Sequence, residues 1–262
     1  MLFGIDQRTA LNEVSNNTDT IIIVHIDPAR RTMGVLNVPR DLWVNIPSFT
    51  TARINTAYTL GEGADYPGGG GALALETISQ NIGVNADLYV LINFQVFTTV
   101  VDTLAPGGVE ICVDETIDDP YYPDAGNGFI HVHFDPGCQR LNSEHLLQYA
   151  RTRHTANSDF DRARRQQQVL QAAREEFLSA GGVANFITQI PTLWNSLTGS
   201  FHTNMSMEQM IQIALLVQDI PRENIRFGAI DEHATTPGTS ADGTQQILIP
   251  VQSAMHGDSG DV

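Results

Sequence analysis

From Asp19 to Asp27 the chain reads DTIIIVHID, and from Arg31 to Pro39 it reads RTMGVLNVP. Both runs are apolar and β-branched with only PAR between them, which predicts a hairpin of two central strands. INTAYTLGE and ALALETISQNIG have helical spacing, the second following GGGG and ending at Gly83. DLYVLI reads as a short buried strand and FQVFTTVVDTLA as another helix. GGVEICV and GFIHVHF are predicted strands on either side of a Pro- and Asp-rich loop. LNSEHLLQYAR is a helix with Asn142 or Ser143 as its N-cap, and a long helix follows from about Asp159 to Ala180. VANFITQIPTLWNSL and SMEQMIQIALLVQDI are further helices, with NIRFGAI and QQILIP as closing strands. Hairpins mixed with βα units predict the α/β class: a mixed central sheet with helices on both faces, a three-layer α-β-α arrangement, with a β-hairpin extension. No internal repeat or linker divides the 262 residues. A single domain is expected, with a core over 2–180, a helical and closing-strand part over 181–250, and a disordered tail over 251–262.

The longest apolar runs are too short for a membrane span of about 20 residues. The chain opens directly into a strand at MLFGIDQR, so a leader or anchor is expected to lie outside it. Its 14 basic and 30 acidic residues give a net charge of −16, with no lysine. That balance disfavours nucleic acid and anionic membrane as partners unless the arginines are concentrated at one spot. They are: YARTRHTANSDFDRARRQQQVL places five arginines among the fifteen residues 151–165.

Helical neighbours recur at i+3, i+4 and i+7, so Arg162 shares a face with Arg165, Gln166, Val169, Leu170, Ala173 and Phe177. The inward apolar stripe therefore runs into two arginines and a glutamine, while Arg164 points outward. Arginine in a first helical turn opposes the helix dipole, a sign that a bound anion reverses. Arg151 and Arg153 are two residues apart and point the same way in an extended segment. Four guanidiniums converging in this way offer planar forks that match phosphate oxygens. Salt bridges to Asp159, Asp161, Glu175 and Glu176 are the competing reading. Asp6, Asp19, Arg40 and Asp41 stand at or just beyond predicted strand ends. Each is also a natural turn or cap residue, but together they suit a magnesium ion bridging protein and phosphate.

The succession GID, TDTIIIVHIDP, VLNVPRDLWVNIP, RINTAYTLGE, ALETISQNIGVNADLYVLINFQVFTTVVDTLAPGGVEI, GCQRLNSEHLLQYARTRH and DFDRARRQQQVL resembles the LytR-CpsA-Psr family in order and spacing from about Leu2 to Arg174. The resemblance implies a membrane-anchored, extracytoplasmic enzyme that transfers a polyprenyl-(pyro)phosphate-linked glycopolymer, such as teichoic acid or capsule, to a peptidoglycan acceptor. It also implies magnesium and an apolar tunnel for the lipid. Carried over residue by residue, it implies metal and base roles for Asp6 and Asp19. Arg40, Arg151, Arg153, Arg162 and Gln166 would grip the pyrophosphate, with Arg165 beside them and Arg53 near the same pocket. Asn17 stands where the family often has arginine. The apolar faces of FQVFTTVVDTL, VLQAAREEFL and IQIALLV are candidates for the lipid slot, or simply core. A glycan- or isoprenoid-phosphate-binding regulator and a lipid pyrophosphatase would need the same arginines.

Three other features suggest simpler roles. His131 and His133 alternate on a strand, with no cysteine or carboxylate at zinc-ligand spacing, and are expected to be surface histidines. GGGG at Gly68–Gly71 lacks the lysine and serine of a P-loop and reads as a flexible turn. No Gly-x-Ser-x-Gly elbow supports serine-hydrolase chemistry. Cys112 and Cys138, the only two cysteines, would meet in a disulfide if VEIC and GFIHVHF pair around their loop, as an extracytoplasmic location favours. Two buried thiols are the alternative.

Overall fold

The structure, a computed structural model, describes residues 1–5, 17–124, 128–154, 158–179 and 182–251. Asp6 and the expected tail, apart from Val251, lie outside the described residues. The first half contains β1 (Leu2–Ile5), β2 (Thr18–Asp27), β3 (Thr32–Val38), β4 (Trp43–Asn45), β5 (Thr51–Arg53), α1 (Ala57–Gly63), α2 (Gly69–Ile82), β6 (Val90–Ile92) and α3 (Phe94–Leu104). Then come β7 (Val109–Val113), β8 (Ile117–Pro123), β9 (Phe129–Phe134), β10 (Gly137–Leu141), α4 (Ser143–Arg151), α5 (Ser158–Ser179) and α6 (Gly182–Leu197). The last elements are β11 (Phe201–Thr203), α7 (Met207–Gln218), β12 (Ile225–Ala229), β13 (Thr235–Thr239) and β14 (Gln246–Pro250).

Six strands form one mixed sheet in the order β11-β6-β1-β2-β3-β12. The predicted hairpin is present as antiparallel β2 and β3, closing at Asp27 opposite Thr32. β1 runs antiparallel to β2 and parallel to β6, and β12 joins β3 in parallel. Alternation along β2 explains its unbroken apolar run. Ile21 and Ile23 pack with Leu73, Ala74 and Ile78 of α2 on one face, whereas Ile22 packs with Met33, Val35 and Ile225 on the other. A sheet covered on both faces has no polar side to present. The second face is covered by α3, α5, α6 and the end of α7, through Leu170, Val217 and a cluster of Val96, Leu104, Leu193 and Leu197.

The tetraglycine is not a loose turn. Gly69–Gly71 already belong to α2, and a Cβ on Gly71 would sit 2.2 Å from the Tyr89 ring. Glycine is required there because α2 approaches another element at near-contact distance.

The expected pairing of VEIC with GFIHVHF is corrected. β7 pairs with β10, whereas GFIHVHF, as β9, pairs with β8, a strand hidden inside the Pro- and Asp-rich stretch. A hairpin is thus inserted between the two partners. Cys112 and Cys138 are directly opposed in the β7–β10 ladder, exposed to solvent and bridged. They are not buried thiols. With a separation of 26 residues, loop-closure entropy makes the bridge worth about 3 kcal/mol. Reduction is therefore expected to lower the melting temperature by about 6–12 °C. Thermal unfolding with and without reductant checks this, together with a count of zero free thiols under denaturing, non-reducing conditions.

QQILIP, as β14, does not extend the central sheet. It pairs with β13, and Leu248 bridges to Leu42 beside β4. No described helix is long and apolar enough to cross a membrane.

Candidate functional site

Asn142 caps α4, its side chain accepting from the His145 amide, and the helix runs to Arg151. There Thr152 breaks the helix with an extended backbone, is almost fully buried, and donates its hydroxyl to Asp119 on β8 at 2.7 Å. With Thr152 turned inward, Arg151 and Arg153 both face a cleft of about 380 Å³. Arg162 and Gln166, on the first turns of α5, form another wall, and Asp19, Thr20 and Arg40 close it from the ends of β2 and β3. The inward stripe of α5 behaves as its spacing predicts. Arg162 is buried and the side chain of outward Arg164 is 72% exposed.

The competing salt-bridge reading holds in part. Asp161 pairs with Arg164 at 2.7 Å, Glu175 and Glu176 are taken by Arg222 and Arg140, away from the cleft, and the Asp159 side chain lies outside those described. Arg40 donates to Asp19 at 2.9 Å and also approaches Asp41, which in turn pairs with Arg53 at 3.3 Å. Arg53 thus buttresses the Arg40 group and does not itself line the cleft.

Arg165 likewise does not line it. Its guanidinium donates to the Tyr149 carbonyl at 3.1 Å and to the Thr152 carbonyl. Burial lowers its pKa, opposed by nearby Tyr149 and Asp161, yet a guanidinium remains charged at any working pH. Its position indicates that it fixes the end of α4, so that Arg151 and Arg153 project correctly. Arg165→Met is expected to cost about 3–5 kcal/mol, because two carbonyls lose a buried charged partner. Urea unfolding measures this.

Gln166 is oriented at both ends: it accepts from Asn37 at 3.1 Å and donates to Thr20 at 3.0 Å. Asn37 was the legible sign of this network, a polar residue in the apolar run VLNVP that is buried in the sheet. Sequence reasoning missed Phe94 and Tyr122. The Arg151 guanidinium stacks 3.8 Å from the Phe94 ring centroid and donates to the Tyr122 hydroxyl at 2.7 Å. Such stacking holds the fork in place. Tyr122 was hidden because DDPYYPDAGNG has turn chemistry.

A second cavity, of about 320 Å³, adjoins the cleft and is almost wholly apolar. Gly4, Thr20, Phe94, Arg151 and Gln166 line both. Beyond them it passes between α3 and α5, over Val96, Phe97, Val100, Val169, Leu170 and Phe177, with Leu2 and Ile22 of the sheet as its floor. Two of the three expected helix faces are present. IQIALLV, on α7, does not line it. Gly4 sits at the junction, where a Cβ would meet that of Thr20 at 3.0 Å and crowd both spaces.

Asp19 accepts from Asn55 at 3.4 Å, and the Asn55 Oδ1 atom is buried with no hydrogen-bond partner among the described residues. The Asp19 carboxylate on the cleft wall is a hard donor of the kind magnesium takes, with waters and phosphate oxygens completing its shell. Asp19 thus fits such an ion, whereas Asn55 turns its amide nitrogen, not its oxygen, towards that carboxylate. Asn17, in place of the family's frequent arginine, accepts from the Thr59 hydroxyl at 3.0 Å.

The fold and site are those of a three-layer α/β domain whose arginine-lined cleft opens into an apolar slot. The chain belongs to the LytR-CpsA-Psr family, whose model (LytR_cpsA_psr family) matches residues 1–255. It is 33% identical over 202 residues to "Regulatory protein MsrR" of Staphylococcus aureus, covering 76% of this chain and 55% of that protein. It is 32% identical over 188 residues to "Polyisoprenyl-teichoic acid--peptidoglycan teichoic acid transferase TagV" of Bacillus subtilis, covering 70% of this chain and 44% of that protein. The chain thus spans about half the length of the curated relatives it matches. In structure it resembles crystalline B. subtilis TagV, with a TM-score of 0.74 at 22% identity, over 97% of this chain and 91% of that one. It also resembles TagT bound to LI-WTA, with a TM-score of 0.70 at 22% identity, over 97% and 84%. These likenesses place its fold with those of TagV and TagT.

Proposed function

We propose that this protein is a phosphotransferase that moves a glycopolymer from a polyprenyl-(pyro)phosphate carrier to peptidoglycan. The observation that carries the reading is the shared wall between the two cavities. Arg151 and Gln166 face an anion-binding cleft on one side and an apolar slot on the other, and a lipid pyrophosphate has that same division. Arg40, Arg151, Arg153 and Arg162 bind the phosphoryl oxygens, Gln166 orients them from its network, and the slot takes the first isoprene units.

A sugar hydroxyl of the acceptor attacks the sugar-linked phosphorus. A phosphorus–oxygen bond to the acceptor forms, the phosphoanhydride bond breaks, and lipid phosphate leaves. The hydroxyl proton passes to an aspartate carboxylate, Asp19 or Asp6. Such a reaction depends on positioning and charge neutralisation more than on covalent chemistry, and the arginines supply both. Magnesium held by Asp19 would add charge neutralisation at the phosphates. The disulfide suits an oxidising, extracytoplasmic location, with membrane attachment through a segment outside this chain.

The test is incubation of the purified chain with a lipid-pyrophosphate sugar, with and without an acceptor glycan. Acceptor-dependent transfer is expected. Release of phosphate product without an acceptor would establish a pyrophosphatase instead, and a bound but unreacted lipid would establish a binding protein.

A further inference from the structure

The β8–β9 hairpin carries a side-chain cluster that the proposed reaction does not use. Asp118 stands opposite His133 in antiparallel register, and His131 lies two residues away on the same strand face. His131 Nε2 is 2.7 Å, and His133 Nδ1 2.8 Å, from the same Asp118 Oδ1 atom. The second nitrogen of His133, Nε2, lies 3.3 Å from Asp135 Oδ1. All four side chains are exposed.

A neutral imidazole donates from one nitrogen and accepts at the other. His133 nevertheless has a carboxylate at both nitrogens, and Asp118 faces two rings through one oxygen. Positive charge at the point where Asp118, His131 and His133 converge resolves the mismatch. Metal-bound histidines have this pattern: one nitrogen on the ion, the other donating to an outer carboxylate that fixes the tautomer.

We propose that Asp118, His131 and His133 form a binding site for a divalent metal ion of the zinc class, with Asp135 as the outer partner of His133. Two imidazole nitrogens and one carboxylate favour such an ion over magnesium or calcium, which prefer oxygen. Bonds of about 2.0–2.1 Å in tetrahedral geometry place ligand atoms about 3.3 Å apart. The two imidazole nitrogens lie 2.7 and 2.8 Å from Asp118 Oδ1, so each of these contacts needs to open by only about half an ångström, and all three candidate atoms already lie within 4.8 Å of one another. A fourth position remains for water or an outside ligand.

Sequence spacing conceals this site, because the carboxylate precedes His131 by 13 residues and arrives through strand pairing. Among the described residues no other group of three such side chains converges in this way. The same hairpin contributes Asp119, Tyr121 and Tyr122 to the arginine cleft, and its register shifts between Asp119 and Tyr122. An ion beside that irregularity would tie β9 to β8, the strand that carries these cleft residues.

The test is titration of the metal-stripped full chain with cobalt(II) chloride, followed by visible absorption and then displacement by zinc(II). One ion per chain is expected, displaced by zinc and not by magnesium. A double variant, His131→Ala with His133→Ala, should bind at least about 100-fold more weakly, and Asp135→Asn about 10-fold more weakly. Nuclear magnetic resonance gives a measure independent of any variant, since the ring signals of His131 and His133 should shift on addition of zinc. Wild-type protein that binds no stoichiometric cobalt, a double variant that binds as tightly, or ring signals unmoved by zinc would each overturn the assignment.

Discussion

Arg162→Ala is expected to weaken prenyl-pyrophosphate binding by about 100-fold or more while leaving the chain folded. Arg162 is buried in the cleft wall, on the same lining as Arg40, Arg151 and Arg153. Charge-assisted hydrogen bonds to a phosphoryl group contribute about 1.5–3 kcal/mol each, and a guanidinium fork makes two of them. Calorimetric titration with a short prenyl pyrophosphate, paired with thermal unfolding of free and ligand-saturated protein, checks both halves. A variant that unfolds without ligand but binds normally would make Arg162 a structural residue and return the cluster to the salt-bridge reading.

Asp19→Asn is expected to lower transfer activity by about 10²–10⁴-fold, the range for losing a general base, and to abolish the response to magnesium. The amide keeps the shape and can still accept from Arg40 and Asn55, but the charge that attracts a hard cation is gone. The fold should tolerate it, because the Asp19–Arg40 pair is partly exposed, with side-chain exposures of 27% and 21%, and such pairs contribute little net stability. Magnesium titration of the transfer rate in wild type and variant gives the answer. Full activity with an ordinary magnesium response would remove Asp19 from both roles. Asp6→Asn should behave similarly if the two share the ion.

The features legible in advance were those encoded by local periodicity. The β2–β3 hairpin, a cap at Asn142 or Ser143, the termination of α2 at Gly83 and the polar break in the stripe of α5 follow from spacings of two or three to four residues, and each is present, the cap at Asn142. The arginines at 151, 153 and 162 could be gathered on one side because a helix end and a helix start separated by a short loop leave little freedom. What failed depended on distant partners. β8 was masked by prolines and aspartates, yet it pairs where turn chemistry suggested a loop. Arg165 shares the helical face of Arg162 but bonds to two carbonyls at the end of α4.

By itself, then, the sequence determined the class of fold, the polar end of the α5 stripe and the family to which the chain belongs, because hydrophobic period and motif order act over a few residues. Only the tertiary structure decided that β7 pairs with β10, that Phe94 and Tyr122 hold Arg151, and that the arginine cleft shares its wall with an apolar slot. The physical reason is that pairing and cavity formation are settled by which surfaces bury one another across long separations. No local propensity carries that choice.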